Sequence, residues 1–137
     1  NAGYYSTYWV VGDISNWNTL KVTNMSSMFK GTGYNASTFE LKLSNWNTSK
    51  VTNVSNMFEN TAYKSDGISI DLSGWDLTSA TNMTDMFKDT GASANSWTIK
   101  IPSKTGSLSN TTDKFYGSSD SVYASPTNII SFTFTLV

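Results

Sequence analysis

Residues 13–29 read DISNWNTLKVTNMSSMF, residues 42–58 read KLSNWNTSKVTNVSNMF, and residues 71–87 read DLSGWDLTSATNMTDMF. Trp17, Trp46 and Trp75 stand 29 residues apart, and the same step carries Asn24 onto Asn53 and Asn82, Met28 onto Met57 and Met86, and Phe29 onto Phe58 and Phe87. A fixed period of this size marks a chain folded as stacked units, none of which can bury its apolar face alone. One further step is degenerate: Met86 and Phe87 map onto Phe115 and Tyr116, but Trp75 maps onto Lys104. Terminal repeats commonly decay in this way.

Two periodicities follow one another within a unit. Phe39, Leu41 and Leu43 alternate with Glu40 and Lys42, and Ile68, Ile70 and Leu72 alternate with Ser69 and Asp71. Trp97, Ile99 and Ile101 repeat the pattern around Thr98 and Lys100. A period of two with one apolar side predicts a half-buried strand. Elsewhere in the unit Val22, Met25, Met28 and Phe29 fall at i, i+3, i+6 and i+7, as do Val51, Val54, Met57 and Phe58. That spacing predicts one face of a short helix, capped near Thr23 or Asn24 and ending at Gly31, Asn60 and Gly91. The expected fold is therefore α/β, a short solenoid with one parallel strand plus one short helix per 29-residue coil. Strands stack at about 4.8 Å and helices at about 8–10 Å, so such a stack should bend with its strands on the inner curve.

The expected units are a single repeat domain over 1–137, with an N-terminal cap at 1–12, coils at 13–41, 42–70 and 71–99, and a degenerate coil with a C-terminal cap at 100–137. Tyr4, Tyr5, Tyr8 and Trp9 form the aromatic N-terminal cap. Ile129 to Leu136 forms the β C-terminal cap, an uncharged strand that needs a partner. In the 29-residue register Asp13, Lys42, Asp71 and Lys100 alternate in sign, and so do Lys30, Glu59 and Lys88. Unlike charges opposed in this way favour lateral stacking by about 0.2–1 kcal/mol each. Asn24, Asn53 and Asn82 are expected to bond the backbone of neighbouring coils; they also fit the glycosylation pattern, a weaker reading. The Trp column and the Met-Phe pairs are expected to be core.

These strings resemble the BspA-type bacterial surface repeats, a leucine-rich-repeat-like family also found in mycoplasma lipoproteins. The resemblance is strong from Asp13 to about Thr90 and rests on Trp, Val-Thr-Asn and Met-Phe at fixed offsets. It implies a leucine-rich-repeat-like solenoid and an exported, extracellular surface protein, held to a cell wall or as a lipoprotein through parts outside this sequence. Adhesion to host or neighbouring cells is the activity the resemblance suggests, and it brings no catalytic residues. The unit here is longer than the common one of about 25 residues, with additions around Tyr34 to Phe39 and Tyr63 to Ile68.

Composition narrows the chemistry further. The 137 residues carry nine basic and ten acidic side chains, with no His and no Cys. There is no basic field for a phosphate backbone, so nucleic acid is not an expected partner. Disulfides, thiolate catalysis, zinc sites of the usual ligands and histidine bases are excluded. No apolar run approaches the roughly 20 residues of a membrane helix, and the chain from Asn1 reads as a processed or excised piece of a larger surface protein.

The scattered carboxylates have no calcium-loop spacing and face no cleft suited to paired acid–base work, so no metal, cofactor or enzymatic activity is expected. The candidate binding residues are Glu40, Lys42, Ser69, Asp71, Thr98 and Lys100 on the outward strand face, and Tyr34 and Tyr63 in the insertions. Aromatics flanked by Asn and Ser suit sugar stacking or protein contact. The expected function is a non-enzymatic binding or adhesion module that recognises a host protein or glycan. The alternative is a structural spacer or stalk domain that displays another domain and binds nothing itself; on either reading the chain is expected to be a monomeric fragment of a larger surface protein.

Overall fold

The strands form where the period-two pattern predicts them. The computed structural model describes Thr7, Trp9, residues 12–102 and residues 131–136. In it β1 is Thr38–Lys42, β2 is Gly67–Asp71, β3 is Ser96–Ile101 and β4 is Ser131–Leu136. They make one parallel sheet in the order β1-β2-β3-β4. Thr38 lies against Gly67 and Gly67 against Ser96, so each of these coils advances by the 29 residues of the sequence period. Ser131 follows Ser96 directly. The expected C-terminal strand therefore pairs with β3, while the degenerate stretch 103–130 and most of the aromatic N-terminal cap lie outside the described residues.

The opposite wall overturns the expected helix. Among the described residues there is no helix, so the chain is not an α/β solenoid with a helix per coil. Residues 25–32 run instead as successive turns. Met28, Lys30 and Thr32 N–H donate to the carbonyls three residues back, on Met25, Ser27 and Phe29. The intervening N–H groups of Met25, Ser27, Phe29 and Gly31 leave their own coil and donate to Asn53, Ser55, Met57 and Glu59. Val54, Asn56, Phe58 and Asn60 repeat this toward Asn82, Thr84, Met86 and Lys88.

Left-handed backbone makes this possible. Ser27, Asn56 and Asp85 have φ of 57°, 54° and 54°, each two residues before the buried Phe29, Phe58 or Phe87. An α-helix cannot pass through such a residue, because every residue in it needs negative φ. The apolar spacing suits either structure, since a run of three-residue turns also returns a side chain to the same face every three or four positions.

Both walls are thus hydrogen-bonded ladders, and both rise by the strand spacing. Ring centroids of stacked neighbours lie 5.5 Å apart for Phe29–Phe58, 5.1 Å for Phe58–Phe87 and 6.3 Å for Trp46–Trp75. Among the described residues no helix imposes its wider spacing, which removes the reason given for bending the stack.

Between the walls lies the core of Leu41, Ile70, Ile99, Val54, Met57, Met86 and the aromatic columns. Trp46 and Trp75 are 1% exposed, and their indole N–H groups donate to Ile14 and Leu43 carbonyls of the preceding coil, each at 2.8 Å. Trp17 departs from the expected Trp core: it stacks on Trp46 at 5.9 Å but is 54% exposed at the end of the column. Gly74, where the first two units have Asn, is needed for closeness, because a Cβ there would run into the Ser44 carbonyl oxygen.

The polar columns behave differently from expectation in two respects. Asn24, Asn53 and Asn82 do not use their amides to reach neighbouring coils; each Oδ1 accepts the N–H two residues on in its own coil, at 2.8–3.1 Å. Threonines and serines join the coils instead. Thr61 and Thr90 hydroxyls donate to Phe29 and Phe58 carbonyls at 2.6 Å, and Ser65 donates to Ala36 at 2.6 Å. All three side chains are buried, and this bond satisfies the donor of each hydroxyl.

The two charge columns are realised in part. Lys30 Nζ meets Glu59 at 2.7 Å and Lys100 Nζ meets Asp71 at 3.4 Å across coils, whereas Lys42 turns to Glu40 and Lys88 to Asp85 within their own coils.

Candidate functional site

The outward face of the sheet is set by strand alternation. Phe39 and Leu41 point inward, leaving Glu40 and Lys42 exposed on β1, with Ser69 and Asp71 beside them on β2 and Thr98 and Lys100 on β3. Glu40, Ser69 and Thr98 therefore form one row across the strands, and Lys42, Asp71 and Lys100 a second. Asp71 and Lys100 are paired with each other, so their charges are largely spent.

At the β1 end of this face a polar cleft of about 480 Å³ opens between Asp13, Ser15, Glu40, Lys42, Ser44 and Asn45. Glu40 and Lys42 meet at 3.2 Å with side chains 61% and 72% exposed. An ion pair so open to water contributes little to stability and can be exchanged for a ligand's groups at small cost.

Asp13 forms the cleft's other acidic edge. The Ser15 hydroxyl donates to its Oδ1 at 2.6 Å and the Ser15 N–H at 2.9 Å, which together hold the carboxyl below its ordinary pKa. It is an anion throughout the neutral range. Sequence reasoning assigned Asp13 to a structural charge column and passed over Ser15, Ser44 and Asn45. The signal lay in Asp-x-Ser, a local turn that keeps a carboxylate ionised at the surface.

On Asp71 burial pushes the carboxyl up, but hydrogen bonds from Ser73 and the contact with Lys100 outweigh it, and the net displacement is downward. The cleft thus offers two carboxylates, one ammonium, hydroxyls and an amide.

Tyr34 and Tyr63 stack on each other at 4.9 Å with planes 4° apart, and both are half-buried. Lys64 Nζ stands 5.8 Å from the Tyr34 ring centroid. The two rings pack the insertions of successive coils against each other, and neither lines the Asp13–Glu40–Lys42 cleft. Among the described residues no group of three or more acidic, His or Cys side chains stands close enough to hold a metal ion. Among them, too, no helix is long and apolar enough to cross a membrane.

A family model described as "Mycoplasma protein of unknown function, DUF285" matches residues 3–122. The chain belongs to this family. Its match covers all three Trp-centred units and extends past β3, so the 29-residue architecture lies within the family's own boundaries. No curated protein and no solved structure matches the chain.

Proposed function

We propose that this DUF285 chain is a non-enzymatic binding module of a bacterial cell-surface protein, BspA-like in its repeats, that recognises a host protein or glycan. The observation that carries the reading is the polar cleft at the β1 end of the sheet, where Asp13, Glu40 and Lys42 surround hydroxyl and amide groups on a rigid face. Both signs of charge beside hydrogen-bonding groups suit a polar ligand such as a sugar or an extended polypeptide better than a lipid or a nucleic acid. The rigidity comes from the ladders on both walls, so little ordering entropy is lost when a ligand binds.

A screen of immobilised glycans and extracellular-matrix proteins tests this, run beside a Glu40→Gln, Lys42→Ala variant and a Tyr34→Ala, Tyr63→Ala variant. The cleft variant should lose its signal while the Tyr variant keeps it. Loss in the Tyr variant alone would move the site to the insertions.

The second reading is a spacer, favoured by one observation: coil-to-coil bonds on both walls make a stiff stack able to hold another domain at a distance. Absence of any signal above background in the screen would support it over binding.

A further inference from the structure

In the first coil the turn after the tryptophan carries an apolar residue where the other coils carry hydroxyls. Leu20 stands at the position of Ser49 and Thr78 in the 29-residue register, and all three are exposed. Ser49 lies in a coil with neighbours on both sides, so exposure at this position is a property of the turn and not of an end of the stack. Leu20, Trp17 and Met28 are the exposed large hydrophobics among the described residues, at 48%, 54% and 40%. An apolar group kept in water at a position the repeat otherwise leaves polar marks a contact surface.

Beside it a groove of about 600 Å³ opens between Trp17, Val22 and Met28, edged by Asn16, Asn18 and Asn24. That volume falls within the roughly 300–1,000 Å³ of small-molecule sites. No charged residue lines the groove. The Trp17 ring is held from within, stacked on Trp46 at 5.9 Å with planes 9° apart, so its exposure belongs to the opposite face and the ring edge.

The polar groups around this ring are donors with fixed directions. Asn18 Oδ1 accepts the Leu20 N–H at 3.2 Å and Asn24 Oδ1 accepts the Ser26 N–H at 2.8 Å, which commits each amide oxygen to its own turn. Neither NH2 group donates to another group among the described residues. The Trp17 indole N–H likewise lacks, among them, the kind of carbonyl acceptor that Trp46 and Trp75 find.

An uncharged groove with a flat aromatic floor and amide donors at its rim selects a particular chemistry. The axial C–H bonds of a pyranose ring carry slight positive charge and suit the negative face of an indole, while its hydroxyl oxygens accept from amides. A sialylated or sulfated sugar would bring a charge with no counterpart here. A second copy docked through the same face would set amide donors against amide donors.

We infer that the Trp17 turn is a second ligand site of this chain, a stacking platform for a neutral pyranose ring held by the Asn18 and Asn24 amides. The inference rests on the binding reading for its class of ligand but not for its place: the groove and the Asp13–Glu40–Lys42 cleft share no lining residue.

The test titrates the isotope-labelled chain with cellotriose, tri-N-acetylchitotriose and lactose to about 10 mM, a range that detects millimolar binding. With at least one sugar the Trp17 indole and the Asn18 and Asn24 side-chain amide signals should shift saturably, while the buried Trp46 indole stays in place. Trp17→Ala should weaken that affinity at least about 10-fold, and Asn18→Ala about five-fold, the loss of one hydrogen bond. The Trp46 indole signal and slow exchange of the Phe58 amide report that each variant is folded. A Trp17 signal unmoved by all three sugars would overturn the inference, as would undiminished affinity in a folded Trp17→Ala variant. Shifts that follow protein concentration instead of sugar would make a second copy the occupant and overturn it too. Sugar-dependent shifts confined to Asp13, Glu40 and Lys42 would overturn this site while leaving the cleft reading in place.

Discussion

The two walls of the stack are built from the same coils by different hydrogen-bonding rules. On the strand wall every residue is extended, and sequence alternation maps directly onto inward and outward faces. On the turn wall alternate N–H groups bond within the coil and between coils, and left-handed residues at Ser27, Asn56 and Asp85 reset the direction of the chain. The lesson is that apolar spacing reports which side chains share a face and leaves open which backbone puts them there. A helix at i, i+3, i+6 and i+7 would have used those N–H groups on itself. Here they hold the next coil, so the two walls keep a common rise.

The largest expected effect separates interior from end. Trp46→Ala should cost about 3–5 kcal/mol as a large-to-small core change, and additionally leaves the Ile14 carbonyl without its indole donor. Trp17→Ala, removing a half-exposed ring of the same sequence motif, should cost about 1–1.5 kcal/mol, roughly the value of its stacking on Trp46. Chemical denaturation of the two variants makes the comparison, and equal losses would break it.

The threonine bonds come next. Thr61→Val keeps the volume but removes a buried hydroxyl that bridges to Phe29. A loss of about 1 kcal/mol is expected, with Thr90→Val matching it at the next interface. No loss in either variant would mean that the backbone ladder alone joins the turn wall.

Ser27 decides between the two backbones by sign. In a helix, Ser27→Ala would stabilise relative to Ser27→Gly by about 1 kcal/mol. With φ at 57° the order should reverse, with the glycine variant more stable by about 1 kcal/mol.

The smallest effect concerns pH. Burial pushes Glu59 up, but Lys30, Asn56 and the field of Lys88 outweigh it, so its carboxyl lies below the ordinary value in the folded chain. A depressed carboxyl stabilises the fold above its unfolded pKa and loses that contribution as pH falls through its folded one. Glu59→Gln should therefore cost about 0.5–1 kcal/mol at neutral pH, discounted for the partly exposed Lys30. The difference from the parent should vanish as pH falls below the carboxylate range, and a constant difference from neutral to acid pH would contradict the assignment.

Much of the architecture was legible beforehand, and the misreadings have physical causes. The strand positions, their 29-residue register and the buried Trp46 and Trp75 follow from alternation and period alone. The turn wall does not, because Ser, Asn and Asp at positions 27, 56 and 85 tolerate left-handed backbone without requiring it. Glycine occurs at two of the three equivalent positions 33, 62 and 91, a stronger hint. At the candidate site Glu40 and Lys42 were readable as outward strand residues. That they share a cleft with Asp13 depends on how the Trp turn folds beside β1, which no local pattern encodes.

The direction taken by the Phe58 N–H tests the central claim most directly. Through-hydrogen-bond scalar coupling in a labelled sample should connect Phe58 nitrogen to the Met86 carbonyl carbon, 28 residues ahead, across the 2.7 Å bond of the ladder. A coupling from Phe58 to the carbonyl of Val54 instead would show a helical turn wall and contradict the account.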